Sequence, residues 1–133
     1  MFSSIAIGML VVSGVVSALP QRRALPSGTV TCGSHKYSVS QVSSAVSQGY
    51  KDYKAGTEVG SNDYPHTFRN DEGLKLYCSG SSWEEFPILT SGVYTGGSPG
   101  ADRVIFDTSG TYCAVATHTG ASSTNGFVSC QGD

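Results

Sequence analysis

Three groups of residues could move protons and hold charge: Tyr64-Pro65-His66, Glu84-Glu85-Phe86-Pro87-Ile88, and the run from Gly97 through Asp102-Arg103 taken with Thr117-His118-Thr119-Gly120. Together they offer a carboxylate, two imidazoles and a guanidinium. Such a set can cleave a phosphodiester whose own neighbouring hydroxyl is the nucleophile, as the 2′-hydroxyl of RNA is. That reaction needs a base for the hydroxyl proton and an acid for the departing 5′-oxygen. It also needs cationic or donor groups for charge growing on the phosphoryl oxygens. Glu85, His118 and Arg103 fill those roles in that order. Neither a metal, another cofactor nor a covalent enzyme intermediate is required, and DNA, lacking the 2′-hydroxyl, could bind but not react.

Taken singly, these residues say less. A lone Glu on a strand is more often a solvated surface group, a lone His is usually structural, and an Arg after a Pro-Gly turn is often a surface ion-pair partner. The chemistry depends on convergence. Strand side chains alternate between faces, so one residue from each of several neighbouring strands can reach one open face.

The elements that must bring them together are legible in outline. Val42, Ala45, Val46, Gly49, Tyr50 and Tyr53 follow i, i+3, i+4, i+7, i+8, i+11, one face of a single long helix. Ser38 with Gln41 forms a capping box at its start, and Gly56 stands where it should have ended. Short runs rich in β-branched and aromatic residues follow at 74–78, 85–89, 103–106, 112–118 and 127–130, separated by turn residues at Gly92, 96–100 and 107–110. These predict an antiparallel sheet. The fold class is therefore α+β, one long helix packed on a twisted antiparallel β-sheet.

At 133 residues the chain suits one domain, with 17 glycines and only 14% charged residues favouring strands and tight turns over a helical bundle. The first 21 residues carry no charged side chain, and 5–19 form an apolar stretch too short to span a bilayer comfortably. With the small-residue site Val16-Ser17-Ala18, residues 1–18 read as a signal peptide, leaving no membrane anchor after its removal. Residues 19–29, with the dibasic pair Arg22-Arg23, read as a propeptide or linker, and 30–133 as the domain. The expectation is a secreted, monomeric protein. The formal net charge is −2, and cleavage after Arg23 would leave six basic residues against ten acidic, a net −4. That excludes binding of nucleic acid mainly through a basic face, so RNA contact should cover a nucleotide or two. Cys32, Cys78, Cys113 and Cys130 permit three pairings in an oxidising compartment, and long closures are each worth about 4 kcal/mol. No C-x-x-C occurs and His35, His66 and His118 are scattered, so no metal site is expected.

At these residues the chain resembles the fungal guanyl-specific ribonucleases, the ribonuclease T-one type. The likeness covers residues 30–130. It rests on Tyr-Pro-His at 64–66, Glu-Phe-Pro-Ile-Leu from Glu85, Gly-Gly-Ser-Pro-Gly-Ala-Asp-Arg from Gly96 and Thr-His-Thr-Gly-Ala from Thr117. The resemblance implies metal-independent cleavage of single-stranded RNA after guanosine through a 2′,3′-cyclic phosphate. It implies Glu85 as general base, His118 as general acid, and His66 assisting the base or sharing its role. Tyr64 and Arg103 would hold the phosphate, with Phe127 at the back of the site and a cis Tyr64-Pro65 bond. Guanine would be read by the loop Phe68-Arg69-Asn70-Asp71-Glu72-Gly73. There Phe68 would stack, and Glu72 would accept the two donors that guanine presents on that edge. The family usually has Asn at the place of Arg69 and an aromatic lid at the place of Asp71, so half of the stacking sandwich is missing here. The segment 122–126 is one residue longer than the commonest form, and Asn125 is the candidate for backbone contact with the base. The likeness also implies bridges Cys32–Cys130 and Cys78–Cys113. Two other readings remain: a secreted cytotoxic or host-targeted ribonuclease using the same site, and a non-catalytic RNA-binding module on this fold. Short loops and negative charge argue against ribosome docking.

Overall fold

The computed structural model describes residues 25–133. The expected signal peptide and residues 19–24 of the expected propeptide or linker lie outside them. The described chain begins with a hairpin of β1 (Val30–Cys32) and β2 (His35–Tyr37), followed by helix α1 (Val39–Ala55). The sheet strands are β3 (His66–Phe68), β4 (Trp83–Leu89), β5 (Gly92–Val93), β6 (Asp102–Asp107), β7 (Tyr112–Thr117) and β8 (Val128–Ser129). All pairings are antiparallel, in the order β3-β4-β6-β7-β8, with β5 added to β4.

The helix has the predicted ends. Ser38 Oγ accepts from the Gln41 amide at 3.1 Å while the Ser38 amide donates to Gln41 Oε1 at 2.8 Å. Gly56 closes the helix in the left-handed region, φ 71°. Val42, Ala45, Val46 and Gly49 face the core as expected, and Gly49 is required there. A Cβ at this position would lie 2.7 Å from Phe106 Cε1, so the glycine lets helix and sheet approach closely. Tyr53 departs from the predicted face. It is 37% exposed and stacks on Tyr50, while Asp52 turns inward and accepts from Gln48 Nε2 at 3.0 Å.

Alternation splits the sheet residues between two faces. Phe86, Ile88, Val104, Phe106, Tyr112 and Val115 join Val42, Ala45 and Val46 in the main core. The opposite face carries a smaller apolar cluster of Phe68, Ile105, Cys113, Ala114, Ala116 and Phe127. Ile105 pairs with Ala114 and Phe106 with Tyr112, which leaves Cys113 as the extra residue of a bulge. The bulge turns Cys113 to the smaller cluster, where it bonds Cys78. The second disulfide, Cys32–Cys130, ties the hairpin to the chain end. Among the described residues, the one grouping of potential metal ligands is Cys78, Asp107 and Cys113, and both of its sulfurs are spent in the disulfide.

Four of the five predicted strands are present, with ends moved by one or two residues. The expected strand at 74–78 is absent. Its backbone is engaged otherwise: Asn70 clamps Leu74 through both side-chain atoms, and the Tyr77 amide donates to the Cys113 carbonyl at 2.8 Å. β1, β2, β3 and β5 were not predicted, being two or three residues long and too short to show a period.

Candidate active site

The face of the sheet opposite the helix gathers the chemistry. His66 on β3 pairs directly with Glu85 on β4. Glu85 lies opposite Ile105, and Arg103, two residues along β6, lies opposite Pro87 and Ala116. His118 follows the end of β7, its amide donating to the Ala101 carbonyl at 2.9 Å. The residues thus step diagonally across neighbouring strands on one face, as alternation requires.

At the centre is the Glu85 carboxylate, 7% exposed. Its Oε2 lies 3.4 Å from His66 Nε2 and its Oε1 3.3 Å from Arg103 Nε. The Arg103 contact lacks the alignment of a hydrogen bond, so this buried N–H remains unpaired. His66 Nδ1 is 3.0 Å from the Asn62 carbonyl. A carbonyl only accepts, so Nδ1 carries a proton and Nε2 is the atom that titrates towards Glu85. The His66 pKa is raised, chiefly by its hydrogen bond to Glu85, with that carboxylate's charge and backbone acceptors adding and burial opposing.

Arg103 is 3% exposed. Nη1 donates to the carbonyls of Gly100 and Asp102, both at 2.9 Å, and Nη2 to the Tyr64 hydroxyl at 2.7 Å. Its N–H groups are largely committed to the protein, which fixes a positive charge beneath the site. The Tyr64 ring lies under Arg103 at 4.9 Å and stacks on His66 at 4.4 Å, and the Tyr64–Pro65 bond is cis. His118 Nδ1 lies 2.7 Å from the Gly126 carbonyl, which by the same reasoning places a proton on Nδ1 and leaves Nε2 uncommitted. The ring stacks on Phe127 at 4.1 Å.

The loop predicted to read a base forms one wall of a pocket of about 240 Å³. Phe68, Arg69, Asn70, Asp71 and Glu72 line it, opposite Asn125 and Phe127, and Glu85 reaches it too. Tyr64, His66, Arg103 and His118 are not among its lining residues. Phe68 is 3% exposed and packs with Phe127 in a T-shaped contact, so its ring is part of the smaller core while lining the pocket. The side chain of Asn70, at φ 56°, is spent on both backbone groups of Leu74 and shapes the loop. Glu72 Oε2 accepts from the Phe127 amide at 3.2 Å, which joins the two pocket walls. Gly126 lets its own loop turn tightly, since a Cβ there would lie 2.6 Å from Ser123 Oγ.

A second polar network, not foreseen from sequence beyond the presence of Asp102 in the motif, lies beneath the site. The Asp102 carboxylate, 2% exposed, accepts from the Tyr37 hydroxyl at 2.5 Å and Thr117 Oγ1 at 2.7 Å, with His35 Nδ1 at 2.8 Å. Thr117 Oγ1 also accepts from the Thr119 amide at 3.0 Å, so the network frames His118 from both sides. Burial, followed by the Asp102 hydrogen bond and charge, pushes the Tyr37 hydroxyl pKa up. A detectable signal was a carboxylate inside an otherwise apolar strand pattern. Asp102→Asn should destabilise the fold by about 3 kcal/mol, since hydrogen bonds to a buried charge are worth roughly 1.5–3 kcal/mol each. Urea unfolding measures this, and a loss under about 1 kcal/mol would show that the charge is not what the network is built on.

Known proteins resemble this chain over most of its length. A family model described as ribonuclease matches residues 25–131. Guanyl-specific ribonuclease C2 of Aspergillus clavatus is 52% identical over 116 residues, covering 86% of each chain. The extracellular guanyl-specific ribonuclease Fl1 of Gibberella baccata is 52% identical over 100 residues, 75% of this chain and 93% of that one. Among solved structures, ribonuclease He1 of Hericium erinaceus superposes with a TM-score of 0.57 at 41% identity, over 78% of this chain and 99% of that one. With a fold in common with that solved structure and long stretches of sequence in common with such relatives, this chain belongs to the guanyl-specific ribonuclease family of fungi.

Proposed function

We propose that the protein is a secreted, monomeric endoribonuclease that cuts single-stranded RNA on the 3′ side of guanosine, by transphosphorylation to a 2′,3′-cyclic phosphate that water then opens. The observation carrying this reading is the double membership of Glu85. It belongs to the charged cluster with His66 and Arg103, and it also reaches the pocket made by the loop at 68–72. A base seated in that pocket would bring its own ribose to the Glu85 carboxylate.

In this mechanism the Glu85 carboxylate takes the 2′-hydroxyl proton, and the 2′-oxygen attacks phosphorus. Negative charge then builds on the phosphoryl oxygens. Arg103 opposes it as a fixed buried cation, and Tyr64, whose oxygen accepts from Arg103, keeps its own hydroxyl proton to donate. His118 gives its Nε2 proton to the departing 5′-oxygen, and Phe127 holds that ring in place. In the hydrolytic step the two roles reverse. His66 as an imidazolium stabilises the Glu85 carboxylate. Guanine is selected by the Glu72 carboxylate, which can accept the base N1 and N2 protons, and by backbone groups of 69–71 and Asn125.

The mature protein follows from removal of residues 1–18 as a signal peptide, and of the next residues up to the Arg22-Arg23 pair. Leu25 packs on the core and Pro26 is buried, which supports a mature chain that keeps them. Export is supported by the two disulfides and by the relative named extracellular.

Digestion of an oligoribonucleotide containing one guanosine, in the presence of chelator and analysed by mass spectrometry, tests the reading. One cut is expected, 3′ of the guanosine, with a cyclic phosphate end, and the corresponding DNA should stay intact. Equal cutting at all four nucleotides would refute the pocket assignment, and loss of cutting in chelator would refute the metal-free mechanism.

A further inference from the structure

We propose that Arg69 is the lid of the base pocket, its guanidinium plane lying over the outer face of the bound purine. This rests on the guanosine reading above and adds a residue to it.

The loop carrying Arg69 is held from three directions. Asn70 clamps Leu74 with two hydrogen bonds, the Gly73 amide donates to the Asn70 carbonyl at 3.1 Å, and Glu72 is tied to the Phe127 amide. Arg69 and Asp71 are the two exposed side chains on this loop that make no hydrogen bond or ion pair among the described residues. A fixed loop with two uncommitted side chains at a pocket rim positions them for a ligand.

The pocket itself needs a cover. Its two aromatic residues, Phe68 and Phe127, are 3% and 8% exposed, and the Phe127 ring is already stacked on His118 and met edge-on by Phe68. Both rings belong to the buried part of the pocket lining, so a purine held at its edge by Glu72 has no aromatic ring over its exposed side. Arg69 is the one basic side chain lining the pocket, against the carboxylates of Asp71, Glu72 and Glu85. A guanidinium is flat, weakly hydrated on its faces and permanently charged, so it stacks on a base as an aromatic ring does. It also offsets the repulsion that three carboxylates exert on a polyanion. Asp71 offers neither effect.

Steady-state cleavage of guanylyl-3′,5′-cytidine by wild type, Arg69→Ala, Arg69→Lys and Arg69→Tyr separates plane from charge. Arg69→Ala should raise KM about tenfold, the scale of one lost base stack, with kcat within about twofold. Arg69→Lys should lie much nearer Arg69→Ala than wild type, since it keeps the charge and loses the plane, and Arg69→Tyr should recover most of the loss. Unchanged KM in Arg69→Ala, a wild-type KM in Arg69→Lys, no recovery in Arg69→Tyr, or an effect confined to kcat would each overturn the proposal. Failure of the underlying guanosine reading would be seen separately, as wild-type enzyme cutting guanylyl and adenylyl dinucleotides equally.

Discussion

Replacement of His118 by alanine is expected to lower kcat on a guanylyl dinucleotide by about 10²- to 10⁴-fold, the usual contribution of a positioned general acid. The reasoning starts from one hydrogen bond. Nδ1 is fixed by the Gly126 carbonyl, so the ring can exchange a proton only at Nε2, and stacking on Phe127 holds that atom in one direction. No other imidazole is placed to take over, because His66 is held on the far side of Glu85 from Arg103 by its own carbonyl contact and ion pair. KM should change little, since the lost interaction acts on the leaving oxygen as it departs. Loss of the stack on Phe127 removes about 1 kcal/mol of stability, so unfolding should be measured beside the kinetics. Activity within about threefold of wild type would remove His118 from the mechanism.

Glu85→Gln should cost about 10²-fold in kcat, at the low end of the general-base range, with the fold retained. The limit on the loss comes from His66. In the intact site the carboxylate holds the His66 pKa up, so the imidazole stays protonated to higher pH and cannot accept the 2′-hydroxyl proton. An amide in place of the carboxylate removes the charge and one of the two acceptor oxygens. The His66 pKa then falls towards its ordinary value, and neutral imidazole appears at lower pH than before. The variant's residual rate should therefore climb with pH through the new His66 midpoint, which NMR of the ring protons reads independently. A variant whose His66 midpoint does not move would show that the His66–Glu85 pair does not govern either group.

What the sequence reveals differs by scale. The helix from Ser38 to Gly56 was readable because capping box, apolar period and terminal glycine are all local signals. Tyr53 and Asp52 exchange places at its last turn because packing on neighbouring residues, not period, decides that turn. The longer strands were legible from β-branched and aromatic runs. Residues 74–78 carry the same composition yet form no strand, since Asn70, 4 residues earlier than Leu74, takes the hydrogen bonds a ladder would need. Convergence of Glu85, Arg103 and His118 was the expectation from alternation, but the direct register of His66 on Glu85 depends on β3, which is too short to see. Phe68 illustrates the remaining gap. Its position behind Tyr64-Pro65-His66 pointed to the pocket, which it lines, but no local signal showed that its ring would also join the smaller core. The Asp102 network is least legible, because its donors come from Tyr37 and Thr117, 65 and 15 residues away.

The division of labour between Glu85 and His118 is tested most directly by a substrate whose bridging 5′-oxygen is replaced with sulfur. A thiolate departs without protonation, so an enzyme lacking its acid loses nothing on this substrate while one lacking its base still does. His118→Ala should cleave the 5′-thio guanylyl dinucleotide at close to the wild-type rate, with Glu85→Gln slowed on both substrates. An equally large His118→Ala defect on the oxygen and sulfur substrates would contradict the assignment of His118 as the proton donor to the leaving group.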